Sequence, residues 1–583
     1  MRNHEKTDTS SELFSAADIA ARTFDYVIVG AGSAGAVLAA RLSEDSGLRV
    51  ALVEAGDDVL PGQEHPDCLD PLPIGPAVPG LSWRGLAADV TVQPSNNPVR
   101  RIRAFTQGRG IGGGSMINGS FAFRGQPEDY DAWEAAGAVG WGWHDVLPYF
   151  RKMETDLNAT GPLHGQDGPM PVRREERSAW APFSGYLAEF MQAKGYPWLD
   201  DYNGQFGDGC ASPPMANLPQ KRIPASSAYL TATVRQRRNL STLAGIEVRG
   251  LLFEGARVTG VDAVHRGAPV KLHGREVILC CGAIFTPALL QRSGIGRADD
   301  LKAAGLTPRI DLPGVGQGLK NHPKIDVAFH LPKQSRQRED IRAIGQVCAR
   351  YSSDRPDCRR HDMGLVAINR ASWHALGHRI GALMVALYQP KSEGEVRVTG
   401  PGGQPADIAV RFGLLDHDDD FARLRDGLSL AMRILTGAQR RGMINTAFMP
   451  DPRLVARFQP HTRSNAWATR AIGLLMDNGP LRRLALGRSA LNTATLAEER
   501  AALERILRRH AGLSHHVSCT CKMGAANDPM AVLTPDCRVR GVAGLRVVDA
   551  SIFPDIPRSG MFFPVMMAAE KMADRIRQEG SPY

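Results

Sequence analysis

Residues 24–56 read FDYVIVGAGSAGAVLAARLSEDSGLRVALVEAG. Tyr26, Val27, Ile28 and Val29 form a short apolar run that ends in glycine, the mark of a buried parallel strand. Gly30, Gly32 and Gly35 follow in the spacing G-x-G-x-x-G. The first allows a tight turn, the second lets a pyrophosphate approach the backbone, and the third lets the next helix close on the strand. That helix is expected from about Ser33 to Ser43, with Val37, Leu38 and Leu42 on its packing face. Its first N–H groups would point at the phosphates. A second strand, Val50 to Val53, ends at Glu54, 19 residues past Gly35 (54 − 35). An acid there accepts bonds from an adenosine ribose. Glycines in this spacing alone often mark only a turn. Strand, glycines, helix, strand and acid in this order predict a dinucleotide site. Glu54 favours a free 2′-hydroxyl, so FAD or NAD rather than NADP, and the stretch does not choose between those two.

The chain has 583 residues, too many for one core, so two or more domains are expected. A formal net charge of +9 is a mild bias at this length. It fits an anionic cofactor or substrate. No Lys/Arg cluster with interleaved aromatics appears, which argues against nucleic-acid binding. Nine cysteines point to a reducing compartment, and the cytoplasm is the expected location. Cys280 and Cys281 sit in an apolar run and read as buried small residues. Cys519 and Cys521 form a C-x-C with no second cluster at metal-ligand spacing, so no metal site is expected. Residues 1–23 read as a polar N-terminal extension without the apolar centre of a signal peptide. No run of 18 apolar residues appears.

Downstream of a Pro/Gly-rich loop anchored by Trp83, residues 107–119 read QGRGIGGGSMING. Gly112, Gly113 and Gly114 leave backbone N–H groups free to form an anion nest, and Ser115 and Asn118 adjoin them. With this stretch the chain resembles the glucose–methanol–choline (GMC) family of FAD-dependent oxidoreductases. The family's first signature is matched by Gly108, Arg109, Gly112, Gly113, Gly114, Ser115 and Asn118, followed by Asp129, Tyr130, Asp131 and Trp133. The second, G-x-x-x-T-P-x-L-L-x-x-S-G-I-G, is matched by GAIFTPALLQRSGIG at 282–296. The resemblance runs from about Phe24 to Ile576. It implies an α/β fold: a Rossmann-like FAD-binding domain, 24–165, 220–320 and 512–578, interleaved with a substrate domain, 166–219 and 321–511, on a mixed or antiparallel sheet with helices. It adds Trp83, Arg109, Val248, Asp549 and Ala550 to the cofactor residues Gly30, Gly32, Ser33, Gly35 and Glu54. Relatives with covalent FAD carry a histidine where this chain has Ile117, so non-covalent FAD is implied.

SHHVSCTCKMG, residues 514–524, resembles the family's H-P-x-G-T-x-x-M-G and sets His516 as the base for a substrate hydroxyl. His515 reads as a supporting or packing residue. LPGVGQGLKNHP, 312–323, departs from the family's L-P-G-V-G-x-N-L-x-D-H at Gly318 and Asn321, departures to which little weight is given. The usual second polar residue near the flavin, an asparagine or histidine, falls on Phe562, and neither type lies between Pro557 and Pro564. The middle region is similar to hydroxymethylfurfural-type and other aromatic alcohol oxidases, and the whole to choline dehydrogenase-like proteins. The expected function is oxidation of a primary, aromatic or apolar alcohol, with O₂ or another acceptor taking the electrons. The alternatives are non-oxidative flavin chemistry, as in a fatty-acid photodecarboxylase or hydroxynitrile lyase, and an inactive FAD-binding protein.

Three further readings concern helices and loops. Residues 141–240 read as a loop-rich connection after one helix start. Residues 495–510 read as one helix opened by a Thr495/Glu498 capping box, with Glu504 and Arg508 paired and Gly512 as the stop. Residues 462–492 hold Arg463, Arg470, Arg482, Arg483 and Arg488 among leucines. They read as a solvated helix pair, with a lid or a membrane- or partner-docking patch as the alternative.

Overall fold

The computed structural model describes residues 22–73 and 75–579. Most of the expected N-terminal extension therefore lies outside the described residues. The stretch quoted first forms β1 (Thr23–Val29), α1 (Ser33–Leu42) and β2 (Val50–Glu54). Every residue of β2 is buried, as are Val37, Leu38 and Leu42 of α1. Burial on both faces is what removes the polar alternation from these strands.

Helix α2 (Trp143–Met153) is followed by β3 (Leu240–Ala244), β4 (Ile246–Glu254), β5 (Arg257–His265) and β6 (Ala268–Leu279). The first sheet runs β3-β2-β1-β6-β5-β4, with β11 (Leu545–Val547) added to β6. Its β3-β2-β1-β6 portion and the β6–β11 pair are parallel, and β4, β5 and β6 are antiparallel. The region between α2 and β3 also holds a helix over Pro182–Ala193, more ordered than a loop-rich connection. The apolar run that holds Cys280 and Cys281 is strand only in part: β6 stops at Leu279, and α3 (Gly282–Arg292) starts after a turn at Cys280 and Cys281. Gly282, where α3 begins, takes φ +82°, a conformation glycine adopts without strain.

The second sheet is antiparallel. It holds β7 (Pro323–His330), β8 (Gly345–Tyr351), β9 (Met363–Ile368) and β10 (Ile380–Leu387) in the order β7-β10-β9-β8, with 447–448 and 512–513 pairing β7 and 209–211 pairing β8. Helix α4 (Asp418–Arg440) covers it. Asp418, Asp419 and Asp420 fill its first turn, where carboxylates suit the helix dipole. Phe421, Leu424, Leu428, Met432 and Leu435 turn inward at helical spacing. A third sheet joins 87–104 to strands from 317–319 and 394–411.

Helix α5 (Pro452–Phe458) precedes the Arg-rich stretch 462–492, which forms the helices α6 (Arg463–Asp477) and α7 (Gly479–Leu486). The single helix expected over 495–510 is corrected. A short turn at Thr493–Leu496 is capped by Asn492, and α8 (Arg500–His510) follows separately. The Asn492 amide oxygen accepts the Thr495 N–H at 3.3 Å, so Thr495 lies inside the turn and does not open it. Glu504 pairs with Arg500 at 2.9 Å and Arg425 at 3.2 Å, while Arg508 lies over the Phe421 ring. The last helix, α9 (Phe562–Glu579), packs on α1, where Arg41 Nε donates to Glu570 at 3.0 Å.

Candidate functional site

The turn after β1 brings Gly30 to φ +100°, and a Cβ on it would stand 2.6 Å from the Cys280 carbonyl oxygen. A Cβ on Gly35 would lie 3.0 Å from the Gly30 carbonyl carbon and closer still to its oxygen. Glycine at 35 is therefore what lets α1 approach β1. The first-turn N–H groups of a helix lack intrahelical acceptors, and at Gly32, Ser33 and Ala34 they border a long groove.

Gly30, Gly32, Ser33, Glu54 and Trp83 line this groove. So do Gly113, Gly114, Val248, Asp549 and Ala550. Glu54 accepts N–H bonds from Ala31 at 2.9 Å, Gly56 at 2.8 Å and Gly110 at 2.9 Å. Two of these fall on Oε1 and one on Oε2, which leaves Oε2 acceptor capacity for a ribose hydroxyl. Asp549 is saturated: Oδ2 accepts from Gly282 N and Thr286 Oγ1, and Oδ1 from Ser551 N and Oγ. Its carboxylate ties the start of α3 to the last flavin-side loop, and burial raises its pKa.

Other expected cofactor residues stand behind the wall. Arg109 lies over the Trp83 ring at 5.3 Å and donates to the Ala55 carbonyl at 2.7 Å. Trp83 packs on Phe285, with centroids 4.6 Å apart. Ser115 donates to the Gly112 carbonyl at 2.6 Å and accepts from Ala225 N at 3.0 Å. Asn118 Oδ1 accepts from Ser120 N and Arg222 Nη1. Gly112 N donates to Ala31 O at 2.8 Å, which joins the triple-glycine loop to the turn after β1.

One end of the groove is formed by His515, Val517, Met561 and Val565. His515 faces the groove, takes φ +59° and stacks on Phe105 at 4.6 Å. Its side chain is open to the groove, and desolvation by the protein around it, with repulsion from Lys324, lowers its pKa. His516 directs Nδ1 at Nδ1 of His322, 2.8 Å away, and a Cβ on Gly560 would stand 3.4 Å from its Nε2. Its backbone N–H donates to Asn321 Oδ1 at 3.0 Å. Burial first, then His322, His515 and Lys324, hold His516 well below the usual histidine pKa. Burial brings His322 to about 3. Both rings of the pair are therefore neutral at physiological pH. Phe562 opens α9 with its ring edge-on to Phe563 at 5.8 Å.

Sequence reasoning missed three contributors. His322 and Asn321 sit in the LKNHP stretch set aside as unimportant, and a histidine immediately before a strand, with a polar neighbour, was the available signal. Cys281, read as a buried residue, lines the groove and is only half-buried, whereas Cys280 is buried as expected.

A Rossmann turn and a nest of glycines thus line one groove, together with His515, the sequence neighbour of the neutral His516–His322 pair. Sequence models described as GMC oxidoreductase match residues 24–324 and 390–569. The chain belongs to the GMC oxidoreductase family. It is 36% identical over 574 residues to 5-(hydroxymethyl)furfural oxidase of Methylovorus sp. (strain MP688), covering 95% of this chain and 98% of that one. It is 32% identical over 588 residues to oxygen-dependent choline dehydrogenase of Burkholderia pseudomallei (strain K96243), covering 96% and 94%. Among solved structures, pyridoxine 4-oxidase from Mesorbium loti superposes with a TM-score of 0.75 at 27% identity, covering 95% of this chain and 99% of that one. The chain is accordingly an oxidoreductase, and the cofactor of GMC oxidoreductases is FAD. The groove fits that cofactor: open backbone at Gly32, an acceptor at Glu54 Oε2 and an apolar end at Met561 and Val565.

A second cluster of buried polar groups lies between residues 124 and 201. Glu154, Asp156 and His164 are buried with their ligand-type atoms within 4.8 Å of one another. Arg124 pairs with Glu154, Arg174 Nη1 bonds Asp156 Oδ1 at 2.7 Å, and His164 Nε2 meets Asp201 Oδ2 at 2.7 Å. Burial alone would lower the His164 pKa, and bonds to Asp156, Asp201 and Glu154 reverse this and hold it up at about 10. Three carboxylates then face two guanidiniums and an imidazolium, a closed ionic set and not a metal site.

Proposed function

We propose that this chain oxidises a neutral primary alcohol, with His516 Nε2 taking the hydroxyl proton and with FAD held without a covalent link. Bound FAD supplies the acceptor for the hydride that leaves the alcohol carbon. Ile117 offers no nucleophilic atom for attachment, which supports the non-covalent reading. The residues that would hold FAD are Gly32, Ser33 and Gly113 around the pyrophosphate, Glu54 at the ribose, Val248 at the far end, and Met561 and Val565 at the apolar end.

The observation that carries the reading is the 2.8 Å bond between His322 and His516. In a neutral pair one ring donates and the other accepts. The carbonyls of Tyr388 and Pro557 act on His322 and favour its protonated form, although neither reaches full hydrogen-bond geometry at Nε2. A proton on His322 Nε2 would be favoured by these carbonyls and would leave Nδ1 as acceptor. We therefore assign the proton of the shared bond to His516 Nδ1, by chemistry, since ring protons are inferred. His516 Nε2 then carries a lone pair beside Gly560. That nitrogen can accept a proton, and His322 steadies the charge that follows.

The substrate class follows from the same surroundings. The groups acting on His516 are two histidines and Lys324, whose Nζ is paired with Asp326 Oδ2 at 2.7 Å. No unpaired acid stands among them to hold a cationic alcohol, which favours a neutral one. Resemblance to the hydroxymethylfurfural oxidase supports an aromatic or furan primary alcohol. O₂ or another acceptor then reoxidises the cofactor.

The apolar run Met561, Phe562, Phe563 favours one second reading, non-oxidative chemistry on the same groove. Anaerobic mixing of the yellow protein with neutral and cationic alcohols in the dark separates the two. Bleaching with neutral primary alcohols supports the proposal. A flavin that stays oxidised with every alcohol would remove it, and turnover of mandelonitrile without bleaching would establish the second reading.

A further inference from the structure

Helices α5, α6 and α7 form a layer on the outside of the molecule. Its inner side is fixed. Thr469, Gly473 and Met476 of α6 are buried, spaced four and three apart on one face. Asp477 Oδ2 accepts from Arg379 Nε at 3.0 Å, and Oδ1 meets His330 Nε2 at 3.1 Å and also Arg336. Buried Arg482 of α7 donates to the Met476 carbonyl at 2.8 Å.

The outer side is apolar and exposed. Trp467 is 72% exposed, and Leu474, seven residues on, shares its face with Leu475 beside it. Leu484 of α7 is 80% exposed, with Leu481 one turn before it. Leu454 and Val455 of α5 extend the same layer. Of the twelve large exposed hydrophobic residues among the described residues, these seven fall within 33 consecutive positions, 452–484. Single exposed leucines are ordinary, but a cluster of this size marks an interaction surface.

The charge around the cluster is of one sign. Arg453, Arg457, Arg463, Arg470, Arg483 and Arg488 are all exposed. Between 452 and 497 the sequence holds one acid, Asp477, which is already engaged inward. A second copy of this chain seated face to face would set these arginines against one another. An anionic lipid surface would meet them with opposite charge and would bury Trp467 and the leucines at the acyl boundary.

We propose that the α5–α7 face docks this enzyme reversibly on anionic lipid bilayers, lying in the interface without crossing it. Among the described residues no helix is long and apolar enough to span a membrane, which agrees with docking on the surface. The arginines provide attraction over about a Debye length and the apolar residues provide retention.

The test uses the full-length, flavin-loaded protein and vesicles of phosphatidylcholine with and without one-third phosphatidylglycerol. Co-sedimentation is expected with the anionic vesicles, at least tenfold weaker with neutral ones, and reduced by added salt. Neutralising Arg470 and Arg483 as R470Q–R483Q is expected to weaken it on the order of 5-fold per arginine. Trp467→Ser with Leu484→Gln is expected to abolish retention at physiological salt while flavin content and alcohol turnover stay at wild-type values. No sedimentation with anionic vesicles at low salt would overturn the proposal. So would unchanged sedimentation of either variant. Analytical ultracentrifugation showing that W467S–L484Q only splits a dimer, with no vesicle binding by the wild type, would reassign the face to self-association and overturn it equally.

Discussion

Gly32 and Gly35 make a paired test of which glycine serves the cofactor and which serves the fold. Gly32 sits at φ −71°, ψ −161°, a conformation open to any residue, and nothing lies within 4 Å of a Cβ built on it. Gly32→Ala should therefore change apoprotein stability by less than about 1 kcal/mol. Its methyl would stand where a phosphate must approach the backbone. An overpacked contact costs about 1–3 kcal/mol. At tenfold per 1.4 kcal/mol that is FAD binding weaker by roughly 5- to 150-fold. Gly35→Ala acts differently. Its methyl would overlap the Gly30 carbonyl, which is backbone and cannot rotate away. Helix α1 would have to back off β1 and loosen Val37 and Leu38, both fully buried. The expected loss is about 1–3 kcal/mol or more of fold stability even without FAD. FAD titration of apoprotein by fluorescence quenching, beside its urea midpoint, reads the two effects separately. Wild-type FAD affinity in Gly32→Ala would refute the placement of the pyrophosphate. A wild-type midpoint in Gly35→Ala would refute the close approach of α1.

Replacing His516 by Asn should lower kcat by about 10²- to 10⁴-fold with flavin content unchanged, and stopped-flow bleaching with the best alcohol would show it; a rate within a few-fold of wild type would mean His516 is not the base. His516 is held neutral well below the usual histidine range, so kcat/KM should stay flat as pH falls through 6.5. Asn321→Asp sets an anion at the atom that accepts the His516 N–H, favours the protonated ring and should move the acid limb upward, and an unmoved limb would count against the argument. Breaking the closed ionic set with His164→Gln should cost about 3–5 kcal/mol at pH 6. The folded pKa of His164, about 10, lies above its ordinary 6.5, so its contribution is complete below pH 6.5 and is lost as pH rises through 10. The gap in urea midpoint between wild type and variant should close over that window, and a constant gap would show that the proton on His164 adds nothing.

The nucleotide half of the molecule was legible because its signals are local. Tyr26–Val29, the three glycines and Glu54 each fix one neighbour through backbone geometry, and the structure places α1 and β2 within a residue of expectation, while β1 begins three residues earlier, at Thr23. The helix over 495–510 was misread because two caps compete there, and Asn492 bonds Thr495 before Thr495 can act as a cap itself. His322 was hidden for another reason. Its role depends on meeting His516 across 194 residues, and no local pattern records which ring faces which. Phe562 shows the converse limit. A slot counted along the chain names a position without its contacts, and a Cβ on Gly560, two residues before it, would meet His516 Nε2 at 3.4 Å. The outer face of α6 and α7 was visible as arginines among leucines, but α5 lay outside the stretch read, and which leucines turn outward is set by the Asp477 anchor.

The first sheet sets β1 beside β6 and β6 beside β11, so its neighbours come from both ends of the chain. The sheet cannot close until residues 545–547 leave the ribosome. At roughly 5–20 residues per second, that comes about 30–110 s after synthesis of the chain begins. During that interval β1 and β2 have helix α1 but lack the Arg41–Glu570 clasp that α9 brings. A nascent chain of this kind exposes parallel strand edges for as long as translation lasts. Its yield in a cell should therefore depend on chaperone capacity and on the speed of its last hundred codons, even where the finished enzyme is stable.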